Sequence, residues 1–316
     1  MADCNYPADP AEAGLALFQS WFGAHFARST VVAESRSEEG VLHATLSVGR
    51  RWDVAVTLLS TLAPEATLAF EAERATIERR LDTDGRAIAL WLPRGASLPV
   101  EEPFLSQFML ALAAARTLPD SRLEVCRLVT LYLRRTSTTG SVVTILGGLS
   151  AHWAQFTNRL PGSFQLNSTE LSRLPASPEE RDALTERIVL AAGQPDVDDT
   201  QLVRAEEAWT ANDLGAGRSC VLGSPAIEGE EQSATLRRNL RRLLRQAVRE
   251  GVPAARVLVV LGASTYAEEE KLTWALRGMD PTLYAGYDII AVLADGLVKP
   301  LLEPVRGTLP WDAPLA

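Results

Sequence analysis

Residues 41–60 read VLHATLSVGRRWDVAVTLLS, and this stretch decides the fold of the N-terminal part of the chain. Apolar and polar residues alternate over 41–48 and again over 52–59, which is the two-residue period of a strand with one buried face. Gly49 and Arg50 lie in a connection short enough for an antiparallel hairpin. Because a third alternating run precedes them at 30–33, the sequence predicts a three-stranded antiparallel meander.

Helix signals stand on both sides of this meander. Asp9 and Pro10 suit the N-cap and first helical positions, Glu12 completes a capping box, and apolar residues follow at helical spacing. These signals predict a helix that ends near Arg28. After the meander, the patterns predict a solvated helix over the charged residues 64–81, a strand at 86–92 and a buried helix at 104–118.

The second half of the chain has a different order of elements. Residues 123–135 and 141–146 predict a hairpin. Ser177, Pro178 and Glu180 form a capping box, which predicts a helix to about Ala192. Beyond it, strands alternate with helices, an order typical of an α/β unit with partly parallel pairing. The predicted elements are strands at 219–222 and 256–261, helices at 233–250 and 266–277, and a hairpin of 287–293 with 297–302 about Asp295 and Gly296.

The predicted fold class combines α+β and α/β architecture. An N-terminal helix and antiparallel meander with further helices and strands precede a smaller C-terminal α/β unit that ends in a β-hairpin. A chain of 316 residues fits about two domains at the usual ~150 residues each. The predicted division is a mixed α+β domain at 1–193, an acidic connector at 194–217 and a small α/β domain at 218–316.

Composition excludes several classes of protein. Hydrophobic residues make up 47% of the chain and charged residues 22%, which is typical of a folded chain rather than a disordered one. No apolar run approaches the ~20 residues of a membrane span, and the first residues lack the pattern of a secretory signal. We therefore expect a cytoplasmic protein without a membrane partner. Cys4, Cys126 and Cys220 are odd in number and far apart, which argues against a disulfide framework.

The sequence has too few histidines, in the wrong positions, for a serine hydrolase triad or a histidine-rich zinc site. The segment GGLSAHW at 147–153 places Ser150 between a strand and a helix, as a serine hydrolase places its nucleophile. That fold needs its histidine after the serine, but no histidine follows His152. The other two, His25 and His43, show no metal-ligand spacing, so a histidine-rich zinc site is excluded as well. Ser150 better fits a helix N-cap.

The order of helix, three antiparallel strands, helix and strand in the first segment resembles the core of restriction-endonuclease-like nucleases. Such enzymes use carboxylates to hold Mg²⁺ beside the scissile phosphate, and a lysine in a Glu-x-Lys pair to position the attacking water. This region offers Asp53 but no lysine, so an active site of that kind is absent from it. The same order is common in secretion-chaperone-like and other binding modules.

The predicted register of the last hairpin places two carboxylates and a lysine, Asp288, Glu303 and Lys299, on one face. With Asp295 and Gly296 as the turn, Asp288 opposes Glu303 and Lys299 opposes Val292, all on one face. Two opposed carboxylates predict a weak Mg²⁺ or Mn²⁺ site, although a solvated hairpin end also fits them. Under this alternative the chain is a carboxylate-metal-dependent phosphodiesterase or a nuclease-like enzyme. Otherwise no cofactor is expected.

The strongest surface feature is an arginine-rich helix. Lysine and arginine total 31, and Lys271 and Lys299 are the only lysines, so 29 residues are arginine. Codon usage in a GC-rich genome explains the number but not the arrangement. In ATLRRNLRRLLRQAVRE, at 234–250, the arginines fall within an arc of about 140° opposite the leucines, at ~100° per residue. They are Arg237, Arg238, Arg241, Arg242, Arg245 and Arg249, the arginine face.

Two interpretations of the arginine face remain open on the sequence. An acidic block at 194–231 carries nine acids against Arg204 and Arg218, and it can pair with the face internally. Alternatively, the face binds nucleic-acid phosphates or an acidic protein. The leading hypothesis is a non-catalytic binding or assembly protein that docks such a partner. A third possibility is a structural subunit whose hairpin edge or apolar helix joins a partner sheet.

Overall fold

The computed structural model shows a mixed α/β fold. Among the residues it describes, no helix combines the length and hydropathy needed to cross a bilayer. In the part of the chain that the structure describes, α-helices are α1 (Pro10–His25), α2 (Leu68–Leu81), α3 (Phe104–Ala113) and α4 (Pro178–Ala192). The described residues are 6–37, 40–60, 68–82, 86–93, 96–146, 159–171, 173–174, 177–194, 200–223, 240–242, 244–245, 253–262, 276–305 and 307–312.

The chain folds into two compact units. The first unit contains Met1–Leu92 and Ala211–Ala316, and the second contains Pro93–Thr210. The sequence instead placed a connector at 194–217, of which residues 200–215 form a strand. The strands are β1 (Ser29–Arg36), β2 (Leu42–Val48), β3 (Trp52–Ser60), β4 (Ala87–Trp91), β5 (Arg116–Thr117), β6 (Leu123–Ser137), β7 (Ser141–Leu146), β8 (Gly162–Asn167), β9 (Thr200–Gly215), β10 (Cys220–Leu222), β11 (Ala255–Leu261), β12 (Ile289–Ala294) and β13 (Leu297–Leu302).

The main sheet of the first unit has the order β1-β2-β3-β11-β12-β13. The predicted meander is confirmed, because β2 is antiparallel to both β1 and β3. Strand β11 is parallel to β3 on one side and to β12 on the other, so the predicted parallel pairing is also confirmed. Its sequence ARVLVVL is apolar on both faces, as a strand in the middle of a covered sheet requires.

Helix α1 covers one face of this sheet. Asp9 caps its first turn by accepting a hydrogen bond from the Ala11 amide at 2.9 Å, as the sequence predicts for the N-cap. Phe18 and Phe22 are fully buried in the core below. At Gly14 a Cβ atom would lie 3.3 Å from Leu58, so glycine lets the helix approach the strands closely. The helix ends at His25, three residues before the predicted end.

Two helix predictions are wrong about burial. Helix α2 is not simply solvated, because Arg74, Ile77 and Glu78 are buried where it packs in the first unit. Helix α3 is shorter than predicted and mostly open, with Phe104 exposed by 60% and Leu110 by 70%. It ends at Ala113 because the following residues form β5, which pairs with β6.

In the second unit the strand order is β9-β6-β8-β7. The predicted hairpin of 123–135 with 141–146 is therefore wrong. Strand β8 lies between its two arms, antiparallel to β6 and parallel to β7. Phe164 and Leu166 of β8 are buried, and their alternation in GSFQLN is the signal that a strand was present. Helix α4 confirms Ser177 as the predicted N-cap, since Ser177 Oγ accepts a hydrogen bond from the Glu180 amide.

Alanine at Gly162 is expected to lower the free energy of unfolding by about 2 kcal/mol or more. Gly162 has a φ of +104°, and a Cβ atom there would lie 2.9 Å from the Ser137 carbonyl oxygen, where β8 begins beside β6. Gly193→Ala is the control, because that residue has a φ of −75° and its Cβ would lie 3.5 Å or more from other atoms. Urea unfolding should show a change within about 0.5 kcal/mol for the control. Equal effects would contradict the strain at Gly162.

Candidate functional site

The described part of the arginine face lies on a helix that is anchored to the main sheet. Residues 240–242 and 244–245 are helical. Leu240 and Leu244 are 0% and 5% exposed, and they belong to the core on the side of the sheet away from α1. Arg242 and Arg245 are exposed and Arg241 is half-buried. The described part of the helix therefore buries Leu240 and Leu244 and exposes Arg242 and Arg245, in the orientation that its periodicity predicts.

The described arginines of this helix do not pair with the described acids of the acidic block. Among the residues that the structure describes, Arg241, Arg242 and Arg245 form no ion pair. The block's Asp213 pairs with Arg86, whose hydrogen bond lowers the pKa of the Asp213 carboxyl. Its Glu207 lies 3.9 Å from Arg127 in the second unit, and Glu206 is exposed. Six other acids of the block lie outside the described residues, as do Arg237, Arg238 and Arg249.

The last hairpin has the predicted turn and register near its tip. Val292 pairs with Lys299, and the turn residues Asp295 and Gly296 have positive φ angles of 52° and 74°. A register shift between Ile290 and Ala291 then moves the two arms past each other, and the ladder ends at Ile290 and Leu302. Asp288 and Glu303 lie just beyond the two strands, so the ladder does not pair them as the sequence predicts.

The Asp288 carboxylate already has a backbone partner. Its Oδ2 accepts a hydrogen bond from the Arg256 amide at 2.7 Å, which ties the segment before β12 to β11. In the described ranges, no group of three His, Cys, Asp or Glu side chains could hold one metal ion. Asp53 is exposed at the start of β3. The hairpin geometry thus gives Asp288 a structural role, and it brings no second carboxylate into the ladder opposite it.

The sequence does not predict the buried carboxylate of Glu78 on α2. Glu78 is fully buried, and its two oxygens accept hydrogen bonds from the Ala8 amide at 2.8 Å and the Val221 amide at 3.0 Å. Burial raises the pKa of Glu78. Arg74, one helical turn earlier, donates to the Ala8 carbonyl at 3.1 Å and lies 3.6 Å from Glu78. This arrangement, the Glu78 clasp, ties the start of α1 and strand β10 to α2.

The groups around the Glu78 clasp are engaged in structural contacts. Asp82 accepts hydrogen bonds from the Ser219 amide at 2.7 Å and from the Tyr6 hydroxyl. The guanidinium of Arg218 lies 4.7 Å from the centre of the Tyr6 ring. Burial raises the pKa of the neighbouring Cys220 thiol, which keeps it protonated and unreactive as a nucleophile. These contacts favour a role in holding segments together over a role in catalysis.

The second unit has its own buried charge pair. Glu207 is fully buried, accepts a hydrogen bond from Trp209 Nε1 at 2.9 Å and lies near Arg127. The Arg127 guanidinium stacks over the Trp209 ring at 5.3 Å and donates to the Ser97 carbonyl at 2.9 Å. Together these contacts neutralise both charges inside the unit.

Comparison with protein-family models, with curated proteins and with solved structures finds no match. Function is therefore inferred from side-chain geometry alone. Of the features above, the helix with Arg242 and Arg245 is the one that presents exposed positive charges without ion-pair partners among the described residues. Asp288, the Glu78 clasp and the Glu207 pair each have partners inside the fold.

Proposed function

We propose that the chain is a non-catalytic binding or assembly protein that docks an acidic partner, nucleic acid or protein, through the arginine face. The observation that carries this proposal is the burial of Leu240 and Leu244 beside exposed Arg242 and Arg245. Because Leu240 and Leu244 belong to the protein's own core, the described part of the helix has no free apolar face for a partner groove. What it offers is a cationic surface held at a fixed orientation.

The spacing of the arginines suits an extended anion. On a helix over the predicted 233–250, the arginine face would be ~18 Å long at 1.5 Å per residue. That length spans several backbone phosphates of a nucleic acid or several carboxylates of an acidic protein surface. Arg241 and Arg245 are one turn apart on the described helix, so they can contact neighbouring anionic groups.

The net charge of the chain makes this interaction local and sensitive to salt. The protein carries a formal charge of −9, so a polyanion is repelled by the molecule as a whole. Charges separated by more than about 8 to 10 Å are screened near physiological ionic strength, which leaves the arginine face to act over a short range. We therefore expect binding that weakens steeply as salt increases.

Replacing Arg241, Arg242 and Arg245 together by glutamate is expected to weaken binding to an acidic partner about 100-fold or more. Each lost phosphate contact removes about one unit from the slope of log affinity against log salt, and the new carboxylates add repulsion. Fluorescence anisotropy with a 20-base-pair duplex and, separately, with polyglutamate measures both partner classes. Loss on the duplex assigns nucleic acid, and loss on polyglutamate alone assigns an acidic protein surface.

The control replaces three other exposed arginines, Arg28, Arg79 and Arg187, by glutamate, which changes the net charge by the same amount. It should lower the affinity only by the small factor that net charge causes. The proposal fails if the two triple variants behave alike. It also fails if the unmodified protein binds neither ligand at low salt.

A further inference from the structure

The second unit contains a cavity of about 450 Å³ between α3 and β6. Phe104 and Phe108 line it from the helix, Leu128 and Val129 line it from the strand, and Arg204 of β9 also contributes to the lining. Its volume lies within the range of about 300 to 1,000 Å³ that is typical of small-molecule sites. It belongs entirely to the second unit, and the arginine face belongs to the first.

The walls of the cavity expose large apolar side chains. Phe104 is 60% exposed and Leu128 is 65% exposed. Phe108 is buried against Trp209, with 5.2 Å between the ring centroids, and this contact makes the inner wall rigid. A ligand with an apolar body would remove the open Phe104 and Leu128 surface from water, which favours binding.

The two arginines that line the cavity, Arg127 and Arg204, differ in their ion pairing. Arg127 is neutralised, because it lies 3.9 Å from Glu207 and 3.8 Å from Glu170. Arg204 is exposed, and it takes part in no hydrogen bond or ion pair among the residues that the structure describes. Of the side chains that line the cavity, Arg204 is therefore the cation without an ion-pair partner among the described residues, and apolar side chains form the larger part of the lining. Charge complementarity favours a ligand with a single negative group.

Cys126 at the cavity wall supports binding rather than covalent chemistry. Burial raises the pKa of its thiol, and the thiol donates a long hydrogen bond of 3.5 Å to Glu124. The thiol therefore stays protonated near neutral pH and is a poor nucleophile. Gln107 and Thr130 add neutral polar groups that can orient a ligand without repelling its anionic group.

We propose that this cavity binds an amphipathic monoanion, with a carboxylate at Arg204 and an aromatic or alkyl body between Phe104, Phe108 and Leu128. A ligand with several phosphates does not fit, because one open arginine faces a mainly apolar wall. A cation does not fit either, because Arg204 repels it. The inference does not depend on the arginine face.

The test uses two fluorescent probes that share an aromatic body. Dansylglycine carries a carboxylate and dansylamide is neutral, so titrating the full chain with each separates the apolar contribution from the ionic one. Dansylglycine is expected to bind about tenfold more tightly. In Arg204→Gln its affinity should fall about tenfold, whereas the affinity for dansylamide should stay within twofold.

Two further variants complete this test. Arg134→Gln removes an exposed arginine of β6 that does not line the cavity, and it should leave both probes unaffected. Ala111→Trp places a large side chain on the cavity wall and should abolish binding of both, with circular dichroism used to confirm folding. Equal affinities for the two probes, or no response to Arg204→Gln or Ala111→Trp, would overturn the proposal. So would the absence of any probe binding.

Discussion

Glu78→Ala is expected to lower the free energy of unfolding by about 3 to 5 kcal/mol, which is typical when one partner of a buried charge pair is removed. The substitution leaves the Ala8 and Val221 amides without their acceptor and removes the carboxylate beside Arg74. Each orphaned buried donor carries its own desolvation cost. Urea unfolding followed by tryptophan fluorescence measures the loss.

Two variants on the same helix separate the Glu78 clasp from a general effect of charge. Glu73→Ala removes a carboxylate of α2 that is partly exposed, and it should cost less than about 0.5 kcal/mol. Glu78→Gln keeps the shape but turns an NH₂ group toward one of the two amides, so it should cost about 1 to 3 kcal/mol. A loss for Glu78→Ala no larger than that for Glu73→Ala would show that the clasp does not stabilise the fold.

The pH dependence of the Glu78 contribution has a definite sign. Burial raises the pKa of Glu78 above its ordinary value of 4.5, so the folded protein holds this proton more tightly than the unfolded chain does. The pH-dependent part of the Glu78 contribution is therefore fully present below pH 4.5 and is lost as the pH rises through the folded-state pKa. The difference in stability between the unmodified protein and Glu78→Gln should shrink from pH 4 to pH 7.

The sequence predicts those elements whose signals are local. The meander follows from alternation and short turns in adjacent segments, and the start of α4 follows from the side chain of Ser177. Near its turn, the last hairpin also has the predicted register, because the turn fixes which residues face each other. In each case the partners lie in the same segment or in adjacent segments of the chain.

Pairing between distant segments could not be predicted in the same way. Strand β11 joins β3, and β8 separates β6 from β7, although alternation in a strand says nothing about which strand lies beside it. The choice of partner depends on non-local contacts that bury both faces. For the same reason the first unit combines the two ends of the chain, a division that composition along the sequence does not reveal.

The same distinction applies to the candidate sites. The arginine face could be found in the sequence because the helical periodicity places Arg242 and Leu240 on opposite faces of one helix. Glu78 could not, because its environment is made by the Ala8 and Val221 amides of other segments. Arg204 is significant only because α3 and β6 form a cavity beside it.

Leu240→Ala is expected to lower the free energy of unfolding by about 2 to 5 kcal/mol. Leu240 is fully buried in the core beside Leu258 and Ile290, so truncation leaves a cavity between the helix and the sheet. Arg242→Ala, two residues along the same helix, should change stability by less than about 0.5 kcal/mol because Arg242 is exposed. Urea unfolding compares the two variants.

The pair of variants at Leu240 and Arg242 also separates anchoring from binding. If the helix is held to the sheet by its leucines, Leu240→Ala loosens the support of the arginine face while leaving its charges intact. Arg242→Ala removes a charge while leaving the support intact, so it should weaken the anisotropy response to the duplex or to polyglutamate without affecting unfolding. A stability loss at Arg242 equal to that at Leu240 would contradict the orientation of the helix, and with it the exposure of the arginines on which binding depends.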